Sequence, residues 1–155
     1  MPKRSAGLLM YRRTASGLEV FLVHPGGPYW TRKEDAWGIP KGEYHKEEEP
    51  LAAAKREFTE ETGFTPTGPL LELGSIQQKS GKIVTAWAVE GDCDPAELVS
   101  NTCSLEWPPR SGQFVEVPEV DEGRWFGMTE ARETIRKEQE PLLQRLQDAL
   151  ARTER

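Results

Sequence analysis

Three glutamates crowded onto one side of a short helix constrain this chain more than any other feature. They lie in the stretch Gly42 to Phe64, which reads GEYHKEEEPLAAAKREFTEETGF. Residues Leu51 to Thr62 are expected to form a helix, because Ala52, Ala53, Ala54, Lys55 and Arg56 are good helix formers and no Gly or Pro interrupts them. Pro50 stands where a first helical residue tolerates proline. Glu47, Glu48 and Glu49 sit at the positive end of the helix dipole. Gly63 occupies the position of a left-handed residue that ends a helix. At about 100° per residue, Leu51, Ala54 and Phe58 share one face, the expected buried one. Glu57, Glu60 and Glu61 share an adjacent face.

Glutamates spaced three and four apart repel by a few tenths of a kcal/mol per pair. Glu60 and Glu61 also fall in the last turn, where the dipole favours cations. Arg56 can neutralise Glu60 but not all three. A helix under selection for stability alone would not keep this arrangement, and a divalent cation is its simplest compensation. Carboxylate oxygens are the ligands that Mg²⁺ and Mn²⁺ prefer.

The same stretch resembles the Nudix box, GX5EX7REUXEEXGU, where U is a bulky aliphatic or aromatic residue. Gly42 opens it, Glu48 is its first glutamate, and Arg56-Glu57-Phe58 supplies the REU. Glu60-Glu61 is the EE pair, Gly63 the second glycine and Phe64 the last U. Every fixed position matches. Trp37-Gly38-Ile39-Pro40-Lys41-Gly42 resembles the tryptophan-to-glycine lead-in that many members carry. The resemblance is close over the box and loose elsewhere. It is nearest to the MutT-like group of small bacterial proteins described as predicted NTP pyrophosphohydrolases.

Around the box, Ser5 to Tyr11 and Leu18 to His24 are expected strands, with Ala6, Leu8 and Met10 on one face and Gly17 suiting a hairpin. Pro25 to Trp30 is an expected loop. Strands are also expected over Leu70–Gln78 and Lys82–Glu90, joined at Ser80-Gly81, the second of them buried on both faces. Gly91 to Gly112 is expected to be irregular. Short strands follow near Gln113–Val117 and Glu122–Phe126. Thr129 is expected to cap a helix over Glu130–Lys137. Pro141 opens a last helix with Leu142, Leu143, Leu146 and Leu150 on its apolar stripe. This order suits what the resemblance implies: an α/β fold, an α/β/α sandwich with a mixed sheet between helices. A length of 155 residues suggests one domain, residues 1–155.

The net charge of −6 and the lack of a basic block argue against a duplex nucleic-acid partner. A nucleotide remains compatible, since a metal can neutralise its phosphates. No segment has the apolar core of a signal peptide or the length of a membrane span. Cys93 and Cys103 lack a CxxC spacing, which suits reduced thiols in the cytoplasm. Neither they nor His24 and His45 have a partner at a catalytic or zinc spacing.

The resemblance implies hydrolysis of a nucleoside diphosphate linked to another moiety, by water attack on phosphorus with Mg²⁺ or Mn²⁺. Nucleoside triphosphates and dinucleoside polyphosphates are the leading substrate classes. The competing reading is a catalytically silent Nudix domain that senses a nucleotide or binds a partner; such members usually lose box glutamates, and this chain keeps them. Glu57 and Glu61, one turn apart, form the best ligand pair, and Glu60 is a third ligand or one acting through water. The Lys41 backbone carbonyl is a further ligand that the resemblance implies, and Lys41 is also a candidate substrate contact. Arg56 is expected to orient Glu48 or Glu60. The general base comes from the box or from a later acidic loop. There Glu116, Glu119, Asp121 and Glu122 are available, and Glu119, behind the rigid Pro118, is the choice. For the substrate's far end, Trp107 and Arg110 in Trp107-Pro108-Pro109-Arg110 are candidates, with Tyr29 and Trp30 as rivals. The alternative is that Trp107 packs on the sheet and Arg110 is solvated. Downstream of the box, Gln77 to Lys82 has neither the proline common in ADP-ribose-type members nor the tyrosine of dinucleoside polyphosphate members.

Overall fold

A computed structural model of the chain describes residues 3–31 and 33–153. Met1, Pro2, Glu154 and Arg155, which the expected 1–155 span includes, lie outside the described residues, as does Arg32. The strands are β1 (Arg4–Thr14), β2 (Gly17–Pro25), β3 (Lys41–Glu43), β4 (Leu70–Gln77), β5 (Ile83–Glu90), β6 (Thr102–Glu106), β7 (Phe114–Pro118) and β8 (Val120–Gly127). The helices are α1 (Pro50–Thr62), α2 (Met128–Thr134) and α3 (Glu140–Thr153). Six strands form a mixed sheet in the order β4-β5-β1-β2-β8, with β3 paired to β1. Among the described strands of this sheet β1 and β5 run parallel and the other pairs are antiparallel.

The alternation in β1 explains the layers. Ala6, Leu8 and Met10 point one way and pack with Phe21, Val23, Ala53, Ala54 and Phe58, the α1 side. Leu9 and Tyr11 point the other way and meet Leu142, Leu143, Leu146 and Leu150 of α3. The sheet is therefore covered on both faces, an α/β/α sandwich, and β1 is buried on both sides as a central strand must be.

A wedge between β1 and β2 builds the site. Next to their hairpin the two strands pair directly, from Tyr11↔Val20 to Thr14↔Gly17. Further along they separate, and the Trp37–Gly42 segment enters the gap. Val23 and Gly38 exchange both backbone hydrogen bonds, at 2.9 and 3.0 Å, and the Leu8 amide donates to the Pro40 carbonyl at 3.2 Å. β3 then continues along β1. A Cβ on Gly7 would meet the Pro40 carbonyl and the Lys41 side chain, so a glycine in β1 lets the wedge close in.

Three expectations need correction. Glu57 and Glu61 are buried along with Phe58, whereas Leu51 is only half-buried, so the buried face of α1 includes two acids. Residues Thr102–Glu106 are a strand, paired with β7 as a separate two-stranded ribbon inside the segment expected to be irregular. The helix expected over Glu130–Lys137 begins at Met128 with Gly127 as its uncapped N-terminus and ends at Thr134. It stops because Ile135 bridges Trp37 and the Arg136 amide donates to the Trp37 carbonyl at 2.9 Å. A tertiary pairing takes those residues out of the helix.

Candidate metal centre and substrate cleft

Helix α1 ends at Gly63, which is left-handed at φ 81° and returns its amide to the Thr59 carbonyl at 2.8 Å. The next carbonyls are met by a later segment. Val99 donates to the Thr62 carbonyl at 3.0 Å, and Asn101 donates to the Glu60 carbonyl at 2.8 Å. The Asn101 carbonyl in turn accepts from the Glu119 amide at 2.9 Å. This chain of bonds hangs the acidic loop directly over the last turn of α1.

Glu57, Glu61 and Glu119 consequently each offer a carboxylate oxygen within 4.8 Å of the others. Burial pushes the Glu61 carboxyl up to about 9, with the Glu57 and Glu119 charges adding to it, while Lys41 and its backbone amide pull it back. Burial also raises Glu119, helped by Glu57 and Glu60 and opposed by a hydrogen bond from Asn101. Crowded, desolvated carboxylates of this kind match the donor set of a hard divalent cation. Glycine at position 42 is explained by the same cluster: a Cβ there would collide with the Glu57 carboxyl. The close approach that Gly42 allows is thus to Glu57.

Arg56 holds the rim. It grips Glu48 with two parallel bonds of 2.8 and 2.9 Å, and its Nη1 donates to Glu57 at 2.9 Å and Glu60 at 3.1 Å. The Glu48 pairing raises Arg56 further above its ordinary value and lowers Glu48. Glu60 therefore faces Arg56, half-exposed, and is not one of the three converging carboxylates. The Lys41 backbone amide donates a hydrogen bond to the Glu61 carboxyl.

A cleft of about 310 Å³ opens from Glu61 and Glu119. Tyr29 and Trp30 of the early loop form one wall, set edge to face at 4.7 Å. Cys103, Leu105 and Val117 of the β6–β7 ribbon form another, and Lys41, Arg136 and Gln139 are among the other lining residues. Gly26 joins the walls: its amide donates to the Glu119 carbonyl at 3.0 Å, and a side chain there would strike the Pro118 carbonyl. Trp107 and Arg110 do not line this cleft. They belong to the turn of the ribbon, where Arg110 is exposed at φ 62° and its amide donates to Glu106 at 3.3 Å. The pairing Glu106↔Phe114 puts that turn at the far end of the ribbon from Thr102↔Pro118, which adjoins Glu119.

His24 is buried, with Nδ1 3.1 Å from Asp121 Oδ1 and Nε2 2.8 Å from the Lys33 carbonyl. Asp121 thereby ties the loop to β2 and leaves the cluster to Glu119. Sequence reasoning missed Asn101, Arg136 and Gln139, which carry no motif.

The fold and site define a class: an α/β/α domain whose helix and acidic loop converge on a three-carboxylate cluster at the mouth of an aromatic-walled cleft. A family model for the NUDIX domain matches residues 1–146. The chain belongs to that family. Among solved structures, a Caenorhabditis elegans Ap4A hydrolase binary complex superimposes with a TM-score of 0.67 at 22% identity, over 95% of this chain and 98% of that one. The NUDIX domain of Shewanella oneidensis NrtR, solved with ADP ribose, gives a TM-score of 0.67 at 12% identity over 97% and 89% of the two chains. A mutT/nudix family protein from Listeria innocua gives 0.65 at 19% identity over 99% and 97%. These likenesses are of fold. A search of curated protein sequences finds no significant match.

Proposed function

We propose that this protein is a Nudix pyrophosphohydrolase that uses Mg²⁺ or Mn²⁺ to hydrolyse the diphosphate linkage of a nucleotide. One observation carries the reading: Glu57 and Glu61 from the box and Glu119 from a distant loop bring carboxylate oxygens within 4.8 Å of one another. A diphosphate presents several negative oxygens that repel a nucleophile. Glu57 and Glu61 would hold a divalent cation beside Glu119, and that cation would supply the positive charge that screens those oxygens. Arg56 keeps Glu48, Glu57 and Glu60 in fixed orientations, and the Lys41 amide does the same for Glu61. Glu119 lines the cleft beside the cluster, and burial, with the Glu57 and Glu60 charges, raises its carboxyl above the ordinary carboxylate value. That suits it to accept the proton of the attacking water. Glu60 tunes Glu119 through its charge. Tyr29 and Trp30 offer flat faces to the nucleoside. Among the described residues no helix is long and apolar enough to cross a membrane, and free thiols at Cys93 and Cys103 suit a reducing, cytoplasmic compartment.

The test is a panel of nucleotides with Mg²⁺, followed by phosphate and pyrophosphate release. Turnover that disappears in EDTA is expected. Thermal stabilisation by nucleotides with no turnover of any of them would replace the hydrolase with a nucleotide sensor.

A further inference from the structure

His24 stands on β2, inside the sheet, between two loops that have to keep their places for the cleft to exist. It is 6% exposed and lies edge to face against Trp37 at 5.3 Å. Both ring nitrogens are engaged. Nε2 lies 2.8 Å from the Lys33 carbonyl, at the end of the early loop that carries Tyr29 and Trp30. Nδ1 lies 3.1 Å from Oδ1 of Asp121, which follows Glu119 closely in the chain. A carbonyl can only accept, which puts a proton on Nε2. The Asp121 contact depends on a break in the ladder. β2 pairs His24 with Glu122 and Pro25 with Val120, so Asp121 is an extra residue of β8 at a bulge, a device that re-aims a side chain. On the other side, the Lys33 amide donates to the Trp30 carbonyl at 2.9 Å and the Trp30 amide to the Gly27 carbonyl at 3.2 Å. Holding Lys33 therefore holds the turns that present both aromatic rings.

We propose that His24 is a positioning residue that, through its two ring nitrogens, fixes the aromatic wall of the cleft against the loop that carries Glu119. A residue that only filled the core beside Trp37 would be better apolar, because a buried imidazole costs stability unless its nitrogens are bonded. Here both bonds leave the core and reach the two loops. The loops also touch directly, where the Gly26 amide donates to the Glu119 carbonyl at 3.0 Å. That bond fixes the start of the early loop, and the His24 bond to Lys33 fixes its end. The acidic loop is treated alike: Asn101 and Gly26 bond its backbone at Glu119, and His24 fastens it again at Asp121. What each loop does rests on the pyrophosphohydrolase reading, in which Glu119 serves the chemical step and the aromatic pair serves binding. The Asp121 arm of His24 therefore acts on kcat and the Lys33 arm on KM.

The two arms can be cut separately, because the side-chain amide of asparagine overlays Nδ1 of histidine and that of glutamine overlays Nε2. His24→Gln keeps a donor for the Lys33 carbonyl and loses Asp121, whereas His24→Asn keeps a donor for Asp121 and loses Lys33. Asp121→Ala cuts the first arm from outside the core, at a side chain 36% exposed. Amide hydrogen exchange of the nucleotide-free protein, read by NMR, is expected to quicken at Gly26 and Glu119 in His24→Gln and Asp121→Ala, and at Trp30 and Lys33 in His24→Asn. With a nucleotide that is turned over, His24→Gln and Asp121→Ala should lower kcat by about tenfold, the scale of one hydrogen bond, with KM near wild type. His24→Asn should instead raise KM by about tenfold with kcat near wild type. Exchange quickened alike in both loops by every variant, or kcat and KM impaired together in each, would reduce His24 to a core residue and overturn the proposal. So would exchange and kinetics that stay at wild-type values. Absence of turnover on every nucleotide in wild type and variants, with the exchange divided between the loops as expected, would count against the hydrolase and leave the two-armed clamp standing.

Discussion

At the scale of single residues, Glu61 sets how the metal-free protein responds to pH. Its carboxyl is held up to about 9 against an ordinary 4.5. Between those values the folded protein keeps a proton that the unfolded chain has released. The unfolded state therefore binds fewer protons, and stability falls as pH rises across that window. Glu119, raised in the same direction, adds the same sign. Glu61→Gln should remove most of this slope and stabilise the metal-free protein at the upper end of the window. Urea unfolding in EDTA at pH 5.5 and pH 8 measures it, and an unchanged slope in the variant would refute the assignment. The acids themselves were legible in the sequence because like charges at helical spacing need a compensating partner. The identity of the third acid was partly legible: Glu119 stood just behind Pro118 in an acidic stretch, but Glu116, Asp121 and Glu122 stood there too. What selects it is Asn101, which bonds α1 and the loop together through its backbone.

At the scale of elements, two walls of the cleft predict which substitutions alter selectivity. Tyr29 and Trp30 line it, while Trp107 and Arg110 occupy the turn of the β6–β7 ribbon. Trp30→Ala should change the ranking of nucleotides by kcat/KM, since stacking on an aromatic contributes about 1–3 kcal/mol per base. Arg110→Ala should leave that ranking as it is. The reverse pattern would return the substrate's far end to the ribbon turn. Strands β1, β2, β4, β5 and β8 were readable from alternation and turn residues, and α1 and α3 from helical periodicity. The ribbon strand β6 was not, because Pro95, Trp107, Pro108 and Pro109 around it carry loop signals and its pairing is with β7 alone. The early end of α2 was hidden for a different reason. Its sequence favours further helix, and only contact with Trp37, about a hundred residues earlier in the chain, overrides that preference.

At the scale of the whole molecule, the site exists because the fold brings four separate segments to one place. The wedge between β1 and β2 supplies Lys41, α1 supplies Glu57 and Glu61, the loop before β8 supplies Glu119, and the turn before α3 supplies Arg136 and Gln139. The box announced the first two segments and the family resemblance the sandwich around them. The last depended on a chain path that no local pattern encodes. The most direct measurement is hydrolysis in ¹⁸O-labelled water with Mg²⁺, with the products analysed by mass spectrometry for wild type, Glu61→Gln and Glu119→Gln. The account predicts label in a phosphate product of diphosphate cleavage, loss of turnover by orders of magnitude in Glu61→Gln, and in Glu119→Gln a fall in kcat larger than any change in KM. Undiminished labelling in EDTA, or wild-type rates in Glu61→Gln, would contradict it.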